Sequence, residues 1–122
     1  QATPTEEHAM KQITAILQPH RLEKVEEALH RLPHLPGFTV FKAHGHARGH
    51  GPDHAYVADE WDPDSHPRLV LLIYCADEHV VGLVQTIENA ARTGQPGDGI
   101  VAVTEVADIV RIKNGERGDA AV

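Results

Sequence analysis

The sequence predicts an α+β domain in which a four-stranded antiparallel sheet carries two helices on one face. Apolar residues recur at helical spacing in two segments, 21–32 and 77–93. Short apolar segments flank each of them, which gives two β-α-β units. A polar segment rich in Gly, His and Asp, residues 44–67, joins the units. This order is typical of a ferredoxin-like βαββαβ sandwich.

The first unit begins with residues 11–17 (KQITAIL), which alternate enough to predict a strand that Pro19 closes. The helix predicted over 21–32 has one apolar and one charged face, and prolines follow it. Its apolar positions are Leu22, Val25, Leu29 and Leu32. Residues 37–43 predict the second strand.

The second unit begins with residues 68–76 (RLVLLIYCA), a predicted strand that is apolar on both faces. A helix is predicted over 77–93, with Asp77 as its N-cap. Residues 100–103 and 108–113 predict further strand with a turn between them.

The segment between the two units is predicted to be one long loop, residues 44–67. Compact domains rarely contain a loop of this length unless it is functional or disordered. This segment is therefore the first place to look for a function beyond the fold.

Length and charge exclude several classes of protein. The chain has 122 residues, which fits a single domain over 10–122 preceded by a disordered tail, residues 1–9. Its 11 basic and 18 acidic residues give a formal charge of −7, which argues against a nucleic-acid partner. No apolar run approaches the ~20 residues that span a bilayer, so we expect no membrane insertion.

The single cysteine, Cys75, lies in an apolar strand and has no internal disulfide partner. The N-terminal residues lack the pattern of a secretory signal, so a cytoplasmic location is expected. No pair of nucleophile and base is apparent in the sequence, so we expect no enzyme activity.

A glycine-rich segment, residues 93–99 (TGQPGDG), follows the second predicted helix. Glycines at 94, 97 and 99 allow successive backbone N–H groups to point into one concavity, an anion nest that suits a phosphate. An ordinary glycine-rich turn explains the same residues, so the pattern alone leaves both interpretations open.

Two motifs resemble the signatures of the P-II nitrogen-regulatory signal-transduction family. Residues 91–99 (ARTGQPGDG), with VRIKNGERGDAAV at 110–122, resemble its C-terminal signature, and residues 13–29 (ITAILQPHRLEKVEEAL) resemble its N-terminal signature. The resemblance covers residues 10–122 with about one inserted residue near Pro33 to Pro36. It implies a homotrimer that binds ATP or ADP between subunits and is not a catalyst. A surface T-loop, here about residues 45–65, would dock on a partner enzyme or membrane transporter.

The resemblance also implies which residues bind the nucleotide. The phosphate loop would be Gly97, Asp98 and Gly99, with Arg48 at the base of the T-loop. Arg111 and Lys113 would reach over from the neighbouring subunit, although alternation also explains them as a solvated strand face. Cations beside a glycine nest suit a polyphosphate. The remaining implied positions are Ile16, Phe38, Thr39, Gly45, Ala47, Tyr74 and Pro96.

Several positions depart from the family pattern. Gln18, Gln95 and Ile100 stand where the family usually has lysine, which favours ADP or AMP over ATP. Gly49 replaces a glutamine that helps bind 2-oxoglutarate, so we expect no response to that ligand. Trp61 replaces the tyrosine that some members have uridylylated, which excludes the modification at this site. Trp61 is either an anchor for the partner protein or a loop-packing residue.

Histidines in the loop suggest a second effector. Imidazole and carboxylate groups at short spacing suit zinc, nickel or copper, although an exposed polar loop is the alternative. The candidate ligands of a divalent metal ion are His44, His46, His50 and His54. The alternative function is therefore a metal-responsive protein linked to cation efflux, or a bicarbonate-responsive regulator of carbon uptake. His30 and His79 are expected on solvated helix faces.

Overall fold

The computed structural model describes residues 9–46 and 65–122, and within them four strands and two helices follow the predicted order. The strands are β1 (Met10–Leu17), β2 (Phe38–His46), β3 (Ser65–Ala76) and β4 (Gly99–Val106). The helices are α1 (Leu22–His30) and α2 (Val80–Ala91). All neighbouring strands are antiparallel, in the order β2-β3-β1-β4. The predicted ferredoxin-like α+β class is confirmed.

One face of the sheet carries the hydrophobic core. Because side chains alternate along a strand, Ile13, Ala15 and Leu17 of β1 point to the same face, and all three are buried. Ile13 lies opposite Ile73 of β3, which is also fully buried. The two helices cover this face with their apolar stripes. The buried helix residues are Val25 and Leu29 of α1, and Leu83, Ile87 and Ala91 of α2.

Arg21 links the two helices. It lies just before α1, and its Nη2 and Nε atoms donate to the carbonyl oxygen of Ala90 at 2.6 and 3.2 Å. Ala90 belongs to the last turn of α2, where carbonyl groups have no partner within the helix. The guanidinium therefore gives a carbonyl group at the end of α2 its hydrogen-bond partner, and it connects this end of α2 to the start of α1.

Both helices begin later than the sequence predicts. Short 3-10 turns, Pro19–Arg21 and Asp77–His79, precede them. The prediction that Asp77 caps the second helix is wrong, because no side-chain cap bond forms there. Its carboxylate instead lies 3.1 Å from the ammonium group of Lys11 and forms an ion pair with this residue of the neighbouring strand β1.

The strand predicted over 108–113 is also wrong. This segment makes only an isolated bridge between Val110 and Arg117 and then turns back on itself. The turn is closed by the backbone of Arg111, which donates to Glu116 at 2.7 Å and accepts from Gly115 at 2.8 Å. The alternating pattern finds no strand to pair with inside the described chain, and the side chain of Ile112 is 99% exposed.

The long loop is shorter than predicted at both ends. Strand β2 continues to His46 and β3 starts at Ser65, and Gly45 pairs with His66. Residues 1–8 and 47–64 lie outside the described residues, and with them most of the predicted tail and T-loop. Within the described part, no helix has the length and apolar character needed to cross a bilayer.

Candidate functional site

The glycine-rich segment forms a tight loop between the end of α2 and the start of β4. The helix ends at Ala91, two residues before the predicted end, and the chain leaves it at Arg92 in an extended conformation. Gly94, Gly97 and Gly99 all have positive φ, at 84°, 91° and 107°. Side-chain-bearing residues rarely adopt this region, so glycines allow the chain to turn here.

The carboxylate of Asp98 holds this loop from inside. It accepts the backbone N–H of Thr93 at 2.8 Å and that of Gly94 at 2.9 Å, and it also accepts the Thr93 hydroxyl. The Thr93 hydroxyl bond, followed by its backbone bond, lowers the pKa of Asp98 below the ordinary value of 3.8. Asp98 is therefore a charged brace that crosses the loop from its second half to its first.

This brace decides which N–H groups remain for an anion. Those of Thr93 and Gly94 are used by Asp98, so the nest predicted for the whole segment is reduced to its second half. Among the acceptors in residues 9–46 and 65–122, none pairs with the backbone N–H of Gly97. The N–H group of Gly97 is therefore a donor that Asp98 does not occupy.

Gly99 fixes the loop against the end of β1. A Cβ atom built on Gly99 would lie 1.8 Å from the carbonyl oxygen of Ile16. No side chain can occupy that space, so the two backbones touch directly. One open cavity of about 370 Å³ lies beneath the loop and is lined by Ile16, Asp98 and Gly99. Val84 of α2 and Arg92, the C-cap residue of that helix, also line this cavity.

Arg68 supplies a cation to the loop, and the sequence analysis missed it. A Cβ atom built on Gly97 would lie 3.5 Å from Arg68 Nη2 and 3.3 Å from Gln18 Nε2. The same Arg68 side chain lies against Gly45, where a built Cβ would be 3.2 Å from its Cγ atom. Its Nη1 atom donates to the carbonyl oxygen of Pro67 at 2.9 Å. The one signal in the sequence was a lone arginine at the start of an apolar strand.

The other described candidates are spread over the sheet. Phe38 packs on the core side, with its ring centroid 5.8 Å from that of His30. Thr39 and Tyr74 lie on the opposite face, opposite Leu72 and Gln12. Pro96 is exposed in the glycine loop. The structure therefore brings Ile16, Gly45, Gly97, Asp98 and Gly99 to one end of the sheet but leaves Phe38 and Tyr74 apart.

Arg111 and Lys113 lie on the turn that follows β4, and both are exposed. Neither lines the cavity beneath the glycine loop of its own chain. Their position is compatible with the implied action across a subunit boundary, which stays a prediction.

The predicted metal ligands fall largely outside the described residues. His44 is exposed on β2 opposite Pro67, and His46 ends that strand. His50 and His54 lie outside the description, as do Ala47, Arg48 and Trp61. In the part that the structure covers, no three His, Cys, Asp or Glu residues are grouped to hold a metal ion.

Comparisons with known proteins find a consistent set of matches. The family model described as "Nitrogen regulatory protein P-II" matches residues 10–116. Proteins of that name from Rhizobium meliloti and Azospirillum brasilense are each 38% identical over 113 residues, covering 93% of this chain and the whole relative. Nitrogen regulatory protein P-II 1 of Escherichia coli K12 is similar to the same extent.

A solved structure is similar along nearly the whole fold. It is the crystal structure of Arabidopsis thaliana PII bound to citrate, with a TM-score of 0.74 and 27% sequence identity. The match covers 93% of this chain and 92% of that one.

Proposed function

The chain belongs to the nitrogen regulatory protein P-II family, and from this premise we propose that it is a signal-transduction protein controlled by an adenine nucleotide. ATP, ADP or AMP binds in the cleft between neighbouring subunits of a homotrimer. The bound phosphates set the state of the T-loop, about residues 45–65, which regulates a partner enzyme or membrane transporter.

The braced glycine loop is the observation that carries this proposal. Asp98 ties the first half of the loop to the second, and the Gly97 N–H has no protein acceptor among the described residues. The Arg68 guanidinium lies within reach of the same position. A prearranged N–H donor beside a planar cation is a favourable site for a phosphate oxygen.

The open face of the sheet supports a subunit boundary next to this loop. Phe41, Val70, Ile16 and Ile100 lie opposite one another across the four strands. Phe41 is 47% and Ile100 63% exposed in the single chain. A continuous apolar row on an uncovered sheet face suits contact with another copy of the chain. In such a trimer, Arg111 and Lys113 of one subunit would contact the phosphate loop of the neighbouring subunit.

The family resemblance leads us to expect lysine at positions 18, 95 and 100, and its replacement affects which adenine nucleotide binds most tightly. Gln18 lies close to Gly97 but carries no charge, and Ile100 lines the cavity as an apolar side chain. Fewer cations weaken the hold on the outer phosphates of ATP more than that on the phosphate of AMP. We therefore expect the affinity for ATP to exceed that for ADP or AMP by little or not at all.

Arg68 offers a route from the nucleotide to the T-loop. Its aliphatic stem lies against Gly45, where β2 leads into that segment, and its guanidinium lies beside Gly97. A phosphate that draws the guanidinium toward Gly97 would shift the contact at Gly45. Ligand binding at one site would thereby bias the conformation of another, as an allosteric switch requires.

Calorimetry and mass measurement test the proposal together. The purified protein should have about three times the 13.3 kDa mass of the chain by light scattering and bind about one adenine nucleotide per chain. GTP is the matched control, because it carries the same phosphates on a different base. A monomer, or no heat with ATP, ADP or AMP at millimolar concentration, would contradict the proposal.

The second candidate, a metal- or bicarbonate-responsive regulator, rests on the loop histidines, of which His44 is exposed on β2. It is tested by titrating nickel, copper, zinc and bicarbonate into the nucleotide-free protein. A response to one of these ions, without any response to adenine nucleotides, would favour this second function.

A further inference from the structure

A second pocket lies at the other end of the sheet from the glycine loop. The register places the glycine loop beside Leu17 at the end of β1, whereas this pocket adjoins Ala76, which pairs with Met10 at its start. The pocket measures about 430 Å³ and is open to solvent. Two histidines and an aspartate line it, His34, His79 and Asp119, and none of them belongs to the proposed nucleotide site.

Three separate elements bring these side chains together. His34 lies in the connection between α1 and β2, and His79 ends the 3-10 turn before α2. Asp119 belongs to the 3-10 turn Gly118–Ala121. The centroids of the two imidazole rings are 6.0 Å apart, with 39° between their planes. His79 was expected to be a solvated surface residue, but it is half-buried and faces His34.

The electrostatic surroundings favour a cation. Burial raises the pKa of the Cys75 thiol, and the charges of Asp77 and Asp119 raise it further. The negative field of these two carboxylates therefore extends to the strand end that adjoins the pocket. Lys11 offsets part of it through its ion pair with Asp77 at 3.1 Å. Asp119 has no such ion pair among the described residues.

The ring separation is close to that of two imidazoles on one metal ion. With zinc–nitrogen bonds of about 2.0–2.1 Å, each ring centroid lies about 3.2 Å from the metal, and a tetrahedral angle puts the centroids about 5.2 Å apart. The two rings would need to approach by less than about 1 Å. His34 is exposed and lies in a turn, so its side chain has room to make that movement.

We propose that His34 and His79 bind a divalent transition-metal ion such as zinc, with Asp119 supplying negative charge beside it. No ready set of three protein ligands exists among the described residues, so water completes the coordination. Asp119 acts through its charge or through one of these waters.

The test must separate this site from the loop histidines. Zinc is titrated into the full chain after His44, His46, His50 and His54 have been replaced by alanine. We expect about one zinc ion per chain to remain bound. In that background, His34→Ala and His79→Ala should each weaken zinc binding about tenfold or more, and Asp119→Asn by less. His20→Ala is the matched control, because His20 is also an exposed histidine in a turn.

Two further measurements keep the outcome clear. Zinc should shift the imidazole proton resonances of His34 and His79 and leave that of His20 unchanged. His34→Gln serves as a second variant if His34→Ala alters the circular dichroism of the metal-free protein. The proposal is overturned if zinc binds equally well in all variants, or if no site tighter than about 100 µM remains once the loop histidines are removed.

Discussion

The backbone of Gly99 runs so close to that of Ile16 that a Cβ atom on Gly99 would lie 1.8 Å from the Ile16 carbonyl oxygen. Gly99 is also the first residue of β4 and has a φ of 107°. The start of the fourth strand and the end of the glycine loop are thus fixed by one position.

Gly99→Ala should therefore destabilise the protein far more than Gly94→Ala. Gly94 has a similar φ of 84°, but a Cβ there would meet nothing within 4 Å. Gly94→Ala should cost about 1–2 kcal/mol, because only the backbone conformation becomes unfavourable. Gly99→Ala must also displace β4 from β1, so its cost should exceed about 3 kcal/mol. Melting temperatures at one fixed protein concentration would measure the difference. Equal losses in the two variants would show that the close approach is relieved at little cost.

Gly82→Ala should stabilise the protein. Gly82 lies inside α2, and a Cβ there would meet nothing within 4 Å. Alanine loses less conformational freedom on folding than glycine, so the free energy of unfolding should rise by about 0.5–1 kcal/mol. Denaturant unfolding measures it. A loss of stability would mean that this helix face is covered by another subunit, which light scattering of the variant would then reveal as a smaller assembly.

Asp98 should make the order of the glycine loop depend on pH. Its pKa is lowered in the folded protein by the Thr93 hydroxyl and backbone N–H, so its contribution is fully present above the ordinary value of 3.8. The contribution is lost as the pH falls through the lower, folded-state pKa. The amide resonances of Thr93 and Gly94 should therefore titrate with a midpoint below 3.8, and Asp98→Asn should abolish the titration. A midpoint above that value would contradict the brace.

Arg68→Gln should weaken ATP binding by about tenfold to a hundredfold, because a charge-assisted hydrogen bond to a phosphate contributes about 1.5–3 kcal/mol. AMP binding should fall less, since fewer phosphate oxygens are involved, and Arg68→Lys should keep part of the affinity. Calorimetry measures each constant. Arg31→Gln is the control, because Arg31 is exposed at the end of α1. Unchanged ATP affinity in Arg68→Gln would remove Arg68 from the proposed site.

Cys75 should react slowly with thiol reagents. Its side chain is fully buried, and burial, followed by the charge of Asp77, raises its pKa. Little thiolate forms near neutral pH and the reagent cannot reach it, so alkylation by iodoacetamide at pH 8 should be about 100-fold slower than in the unfolded chain. The rate in denaturant gives the reference. Similar rates in the folded and unfolded protein would mean that β3 opens readily.

The helices, the four strands and the glycine loop could be predicted because their signals are local. Apolar spacing marked the buried stripes of α1 and α2, and glycines marked the positions of positive φ in the loop. The strand prediction for 108–113 was wrong because the residues alternate but find no partner strand in the part of the chain that the structure describes. The capping prediction for Asp77 was wrong as well, because its carboxylate pairs with Lys11. Lys11 lies in β1, far from Asp77 in the sequence.

The family resemblance predicts the glycines of the candidate site, whereas the side chains around them are visible only in the structure. The resemblance implies a phosphate loop at Gly97, Asp98 and Gly99, and the structure adds that the Asp98 carboxylate accepts hydrogen bonds from its own loop. Arg68 is not predicted as a site residue, because its sequence neighbours form an ordinary apolar strand. His79 was expected on a solvated face, whereas it meets His34 across a pocket.

By itself, the sequence determined which segments form helices and strands and where the backbone needs glycine, because apolar periodicity and backbone sterics act over a few residues. Only the tertiary structure decided that Arg68 meets Gly97 and that His34 meets His79. These pairs come from the strand order β2-β3-β1-β4 and from the way the helices pack on the sheet. The free energy that selects this arrangement is that of burying one shared core, and no short stretch of the chain contains it.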